Sequence, residues 1–376
     1  MAQLPTQDVT LEVDGRRYGQ WTQVQVTRSI ESACASFQLQ SFGAAGAAAR
    51  SAIVVRPQAP CTVKLSGVPV ITGYVDDVDV SATPDATGVN VTGRSLTCDL
   101  VDCHAPDAPR VWSNATVRTI AESCAAPYGV GVVLDAPLGA PFSRFRAQPT
   151  ETQWSIIERA ATLRSLLVTD DEFGNLVLTR AGTARLPETL AAGVNLAAYT
   201  VQYKGAERYS SYVCRGQRAL ESATAAATAA HVEGRADDAG SRTRVLVVQA
   251  QGRPDPAAAL ERARWEMLTR YGRSLSVQVT VPGWARSDGT LWPVNRLVRV
   301  QIPRALLDLD LLITSATYQR SVGGTTTTLT LQPPEAFATY TAPTRTRGRV
   351  QNGFWKELDQ AGIASAQQRA RALGGQ

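Results

Sequence analysis

Period-two alternation opens the chain. Val9, Leu11 and Val13 alternate with Thr10, Glu12 and Asp14, as expected of a strand with one buried face. Asp14-Gly15 then predicts a tight hairpin turn. The run from Trp21 to Arg28 alternates again, with Val24 and Val26 on one face, and after a break at residues 29–35 the pattern resumes at Phe37-Gln-Leu-Gln. Further strands are predicted over residues 61–65, 70–80 and 88–94. This first unit reads as a small, mainly antiparallel barrel or sandwich, with the Gly/Ala-rich residues 43–49 as a loop.

Near residue 105 the period changes to that of helices. Asn114 or Thr116 can cap a helix carrying Val117, Ile120, Ala121 and Cys124, ended by Pro127 and Gly129. A strand follows over residues 130–134. Thr150 and Gln153 then predict a capping box, opening a helix with Trp154, Ile157, Ala161 and Arg164 along one face. Strands at 166–169 and 176–179 flank the turn Asp170-Asp-Glu-Phe-Gly-Asn. From Tyr199 the pattern is β again, with strands at 199–203, 244–250, 274–281, 296–302, 311–320 and 325–331. Residues 219–243 read as a long exposed loop. Asp255-Pro256 opens a helix with Leu260, Ala263, Met267, Leu268 and Tyr271 on one side, closed by Gly272.

The fold class is α+β, mainly β: two antiparallel β domains flank a smaller α+β domain. The expected divisions are 1–104, 105–198 and 199–340, followed by a tail over 341–376 with a terminal helix. A chain of 376 residues suits several domains rather than one.

The two β units echo each other. Thr62-Val-Lys-Leu, Ile71-Thr-Gly-Tyr-Val-Asp-Asp-Val-Asp-Val and Gly88-Val-Asn-Val-Thr-Gly face Leu297-Val-Arg-Val-Gln-Ile, Leu311-Leu-Ile-Thr-Ser-Ala-Thr-Tyr and Thr325-Thr-Thr-Thr-Leu-Thr-Leu. Each is three β runs separated by turns, with an Ile-Thr pair near the start of the middle run. Two related units per chain let three chains present six similar modules.

Composition narrows the function. Hydrophobic content of 44% with 19% charged residues is that of a folded globular chain. The net charge of +5 rests on Arg, since Lys occurs only at 64, 204 and 356; no Lys/Arg stripe interleaved with aromatics marks a nucleic-acid surface. The start has no basic and then apolar leader, and no run reaches the ~18 apolar residues of a membrane span. Six scattered cysteines (34, 61, 98, 103, 124 and 214) suit reduced thiols and synthesis in a cytosol.

Candidate chemistry is sparse. The histidines are His104 and His231, and Cys98, Cys103 and His104 match no zinc spacing. Asp76, Asp77 and Asp79, and separately Asp170, Asp171 and Glu172, read as solvated acidic faces rather than a carboxylate pair of separated pKa. No nucleophile elbow, phosphate loop or His-Glu-x-x-His is present. No catalytic residue, metal or cofactor is expected. Trp284, in Pro282-Gly-Trp-Ala-Arg, and Trp292, in Gly289-Thr-Leu-Trp-Pro, lie in turn-rich segments, where they either plug a barrel end or anchor a partner. Phe354 and Trp355 suit anchors on a neighbouring surface, because the Thr/Arg/Gly/Pro-rich residues before them bury little. These four aromatics are the interface candidates.

Several of these stretches together resemble a known family. They are Val9-Thr-Leu-Glu-Val-Asp-Gly with Trp21-Thr-Gln-Val-Gln-Val-Thr-Arg-Ser-Ile-Glu, then Gly73-Tyr-Val-Asp-Asp-Val and Thr152-Gln-Trp-Ser-Ile-Ile-Glu-Arg-Ala-Ala. Asp171-Glu-Phe-Gly-Asn-Leu-Val-Leu-Thr-Arg and Gly289-Thr-Leu-Trp-Pro-Val-Asn-Arg-Leu-Val-Arg-Val complete the set. In this order the chain resembles the baseplate hub proteins of Mu-like contractile-tailed phages, part of the tail hub group that includes the hub of phage T4. The resemblance implies a homotrimer in the virion baseplate, synthesised in the host bacterial cytoplasm. Two tube-like β domains per subunit would form a pseudo-hexameric ring joining the hexameric tail tube to the trimeric spike and touching other baseplate proteins. Genomic DNA would pass through without specific binding, and no membrane insertion is expected. A surface-binding adhesin and a cell-wall hydrolase are the alternative readings.

Overall fold

The computed structural model describes residues 8–44, 55–104, 111–217, 231–239, 242–250 and 256–337. Seven strands come first: β1 (Val9–Val13), β2 (Arg16–Tyr18), β3 (Gln23–Ser29), β4 (Ser36–Ala44), β5 (Pro60–Leu65), β6 (Val68–Ala82) and β7 (Ala86–Ser95). Val9, Leu11 and Val13 are buried and the residues between them are not. Asp14 and Gly15 both have positive φ, 49° and 73°, the backbone of a two-residue hairpin whose twist matches its strands; Val13 pairs with Arg16 across it.

The middle segment holds α1 (Cys98–Asp102), β8 (Val111–Ala115), α2 (Val117–Ala125), β9 (Val132–Leu134), β10 (Phe142–Arg146), α3 (Gln153–Thr162), β11 (Leu167–Asp170) and β12 (Leu176–Thr179). Thr116 caps α2, its hydroxyl accepting from Thr119 N at 3.2 Å. The cap of α3 is Thr152 rather than Thr150. Its hydroxyl accepts from Ser155 N at 3.2 Å, whereas Thr150 has a φ of 66°, outside the extended region an N-cap occupies. Gln153 is therefore the first helical residue and is buried. Leu100, Ile120, Cys124, Ile156, Ile157, Leu176 and Leu178 fill this segment's own core.

Then follow β13 (Arg185–Ala191), β14 (Ala198–Tyr203), β15 (Ser211–Gln217), β16 (His231–Asp237), β17 (Val245–Gln249), α4 (Pro256–Arg273), β18 (Leu275–Pro282), β19 (Leu297–Ile302), β20 (Leu307–Ser321) and β21 (Gly324–Gln332). The expected loop over 219–243 is corrected in part: β16 lies inside it and pairs with β15. Its buried side consists of Val232, Gly234 and Ala236, too weakly apolar to show as alternation. A Cβ on Gly234 would lie 2.1 Å from Leu260 N, so glycine lets α4 pack against this strand. The deeply buried face of α4 is Ala259, Ala263, Glu266, Thr269 and Gly272: Ala263 is buried as expected, but its neighbours on that face are small or polar residues rather than Leu260, Met267, Leu268 and Tyr271. Gly272 is a packing position inside the helix, not its stop.

Both β units belong to one 13-stranded sheet, and their buried residues form one core. In the first unit neighbouring strands run β3-β4-β7-β6-β5-β1. In the second they run β14-β18-β21-β20-β19-β13. The orders correspond strand for strand, and all pairings are antiparallel except β13 with β19. The echoed runs are β5-β6-β7 and β19-β20-β21. Their middle strands each have 15 residues and a register irregularity, between Val75 and Asp77 in one and between Ile313 and Ser315 in the other. β13, placed in the middle segment by the sequence reading, pairs with β19 and belongs to the second sheet unit. The small sheet β16-β15-β17 and α4 are inserted between β14 and β18. Among the described residues no helix is long and apolar enough to cross a membrane.

Candidate assembly surfaces

The junction between the β units is the pairing of β3 with β20. Six residues of each strand are in register, from Ser315 opposite Ser29 to Arg320 opposite Val24. On the inner face Val24, Val26, Ala316 and Tyr318 are buried. On the other face the Thr27 and Thr317 hydroxyls lie 3.2 Å apart, within hydrogen-bonding distance. Val26 meets Tyr318 on the buried face, where Ala316 lies opposite the half-buried Arg28 and Val24 opposite the half-buried Arg320; the two units thus share a continuous ladder and one core.

The turn between β11 and β12 clamps this junction to the middle segment. The Asp170 carboxylate is buried and accepts from Ala35 N at 2.8 Å. Burial raises its pKa, opposed by its hydrogen bonds and the nearby Arg28 guanidinium. Arg28 donates to Glu172 Oε2 at 3.2 Å and to Asp170 O at 3.1 Å. Thr72 Oγ1 donates to Glu172 O at 2.9 Å. Gly174 has a φ of 80°, and a Cβ there would lie 2.8 Å from Thr72 O, so only glycine lets the turn approach β6 this closely. Asn295 ties the end of the middle segment to the second unit. It accepts from Gly182 N at 2.8 Å and donates to Arg180 O at 2.9 Å.

This corrects the solvated reading of 170–172. Asp170 is an internal acceptor, and Asp171 closes its own turn by accepting from Phe173 N and Asn175 N. In the other acidic cluster, Asp76 pairs with Arg94 at 2.7 Å, and Arg94 also pairs with Asp102 of α1 at 2.7 Å. Arg94 holds the Asp102 pKa down. Asp77 and Asp79 face solvent. Burial pushes the Cys61 and Cys98 thiols up to about 12, which keeps them protonated and unreactive. His104 bridges to Thr152. Among the described residues no group of His, Cys, Asp and Glu is gathered as metal ligands.

Trp284 and Trp292 are core residues, 1% and 6% exposed. Trp284 Nε1 donates to Gln319 O at 3.0 Å, and the Tyr318 hydroxyl donates to Trp292 O. Both indoles thus pack inside the second unit, and their rings are not at the surface of the free chain. Phe354 and Trp355, with the whole tail after residue 337, lie outside the described residues. The exposed apolar side chains on strand edges are others, Val80 at 72% and Tyr199 at 38% among them.

Three family profiles cover most of this architecture: the baseplate hub protein gp44-like second domain over residues 97–180, the Mu phage baseplate assembly protein GpP-like N-terminal domain over 8–95, and the Mu phage baseplate assembly protein GpP fourth domain over 255–340. The baseplate hub protein gp44 of Escherichia phage Mu is 32% identical over 339 residues, covering 88% of both chains. This chain belongs to the Mu gp44 family of baseplate hub proteins. A crystal structure of the 43 kDa tail protein from Shewanella oneidensis prophage MuSo2 superposes with a TM-score of 0.79 at 29% identity, covering 88% of this chain and 99% of that one. A tail protein from Neisseria meningitidis MC58 shares the fold, with a TM-score of 0.74 at 21% identity, covering 88% and 98%. As a gp44-type hub, the chain is a structural component of the tail baseplate.

Proposed function

We propose that three copies form a ring at the centre of the baseplate, their six β units arranged with pseudo-sixfold symmetry. One side of the ring would meet the hexameric tail tube and the other the trimeric spike. The observation that carries this reading is the repeat itself: two sheet units of one strand order, already joined side by side within the chain. A threefold assembly of such pairs presents six similar modules to a sixfold partner. The ring would use residues 8–95 and the second unit with β13, while the middle segment and the inserted sheet with α4 stand outside it. DNA would pass through without specific binding. Asp76 acts in an ion pair, Asp170, Asp171 and Glu172 in the clamp and its turn, and Asp77 and Asp79 face solvent; no catalytic role is assigned to any of them. Synthesis in the host cytoplasm fits the free cysteines.

The test is the mass in solution. Light scattering of the full chain at micromolar concentration, alone and with its tube and spike partners, is expected to give three times the 40.2 kDa of one chain. A stable monomer or dimer under all these conditions would overturn the reading.

A further inference from the structure

Among the described residues, the internal junction leaves two complementary edges unpaired, one in each unit. In the second unit, β14 occupies the position that β3 holds in the first, and it ends the sheet with an unpaired edge. In the first unit, β6 occupies the position of β20. Among the described residues its later half pairs with β7 alone, because β5 reaches only as far as Tyr74. Where β20 is covered by β3, Tyr318 is 2% exposed; at the matching place on β6, Val80 is 72% exposed.

The register converts this likeness into residue pairs. Val78 pairs with Val91 as Ala316 pairs with Leu329. Leu39 pairs with Val91 as Val279 does with Leu329, and Val24 with Leu39 as Tyr199 with Val279. Val24 therefore corresponds to Tyr199, and Ala316 to Val78. Applied to the observed junction, this correspondence sets Asp77 opposite Lys204, Val78 opposite Tyr203 and Asp79 opposite Gln202. It continues with Val80 opposite Val201, Ser81 opposite Thr200 and Ala82 opposite Tyr199.

We propose that β14 of one copy pairs antiparallel with residues 77–82 of β6 in the next copy, repeating between chains the β3–β20 junction within each chain. The chemistry of the two edges fits without adjustment. One face of the new ladder would be apolar throughout: Val78, Val80 and Ala82 against Tyr203, Val201 and Tyr199. The opposite face would be polar throughout: Asp77, Asp79 and Ser81 against Lys204, Gln202 and Thr200. A shift of one residue would turn each apolar row onto a polar one. Asp77 and Lys204 are both exposed in the free chain and carry opposite charge, and Gln202 can donate to Asp79. Each copy has one edge of each kind, so the contact is head-to-tail and closes into a ring when its rotation permits. This pairing rests on the ring reading and names the contact that would build it.

Sedimentation of the full chain at low salt, where surface charges are least screened, separates the two ideas. Val80→Asp places a carboxylate against Val201 and is expected to weaken association by about tenfold or more. Val322→Asp, at a fully exposed site on the β20–β21 turn, should leave association unchanged. Asp77→Lys and Lys204→Asp should each weaken association by roughly threefold, and the two changes in one chain should restore it. Melting curves of each variant show that the subunit remains folded. If the parent assembles but Val80→Asp assembles equally well, or the combined charge exchange fails to restore association, the strand pairing is wrong while the ring stands. If the parent remains monomeric even with its tube and spike partners, both are wrong.

Discussion

Replacing Asp170 by alanine removes the buried acceptor that holds the middle segment against the β3–β4 connection. Ala35 N loses its 2.8 Å partner and keeps only Ser95 Oγ at 3.2 Å. Arg28 loses a neighbouring charge but keeps Asp170 O and Glu172. A buried donor stripped of its main acceptor costs about 1–3 kcal/mol; with Ser95 still in place, we expect about 2 kcal/mol. For a cooperative unit of 150–250 residues this corresponds to a downward shift of about 4–8 °C in Tm. Asp170→Asn retains an acceptor oxygen and should cost less than about 1 kcal/mol. The two variants also differ in pH dependence. Because burial raises the folded-state pKa of Asp170, the folded protein holds that proton more tightly than the unfolded chain. Its stabilising contribution is therefore complete in acid and is lost as pH rises from about 3.9 through the raised value. An amide at this position does not titrate and cannot show this loss, so the Tm of Asp170→Asn relative to the parent should increase as pH rises through that window. Differential scanning fluorimetry across a pH series measures both effects. A Tm for Asp170→Ala equal to that of the parent at every pH would refute the clamp.

Trp284→Ala should destabilise the second β unit by about 3–5 kcal/mol, the cost of emptying a buried tryptophan site; a normal melt combined with lost assembly would instead make Trp284 a partner anchor. Breaking the buried Arg208–Asp238 pair with Arg208→Ala strands a carboxylate and should cost about 3–5 kcal/mol. Hydrogen exchange should locate that loss in β15–β17 and α4 while the 13-stranded sheet keeps its protection. On the proposed ring reading, duplex DNA should bind the assembled protein weakly at physiological salt, because a ring that held phosphates tightly would obstruct passage; tight, salt-sensitive binding in a filter or anisotropy assay would contradict this.

Local patterns carried the fold wherever one face of an element is strongly apolar. Val9-Leu11-Val13 and Val24-Val26 announce their strands because water is excluded from one side and the period of side chains is two. Asp14-Gly15 announces its turn because both positions need a positive φ. The echo of residues 62–94 in 297–331 was legible for the same reason, as equal strands bury equal rows. β16 was hidden because its buried residues are Val, Gly and Ala, chosen by the closeness of α4 rather than by hydrophobicity. The cap at Thr152 was missed because Thr150 has the right side chain and the wrong backbone, which residue type alone does not reveal. Asp170, Asp171 and Glu172 form one acidic run in sequence, yet one is buried, one closes a turn and one pairs with Arg28. That division depends on which backbone donors and cations a distant segment supplies. The tryptophans at 284 and 292 suited either a core or a surface by chemistry, and their burial against β20 within the single chain is visible only in the tertiary structure. The likeness of the β3 and β14 edges, and of β20 and β6, lies in strand order and register. These are properties of long-range pairing, set once the whole sheet has formed.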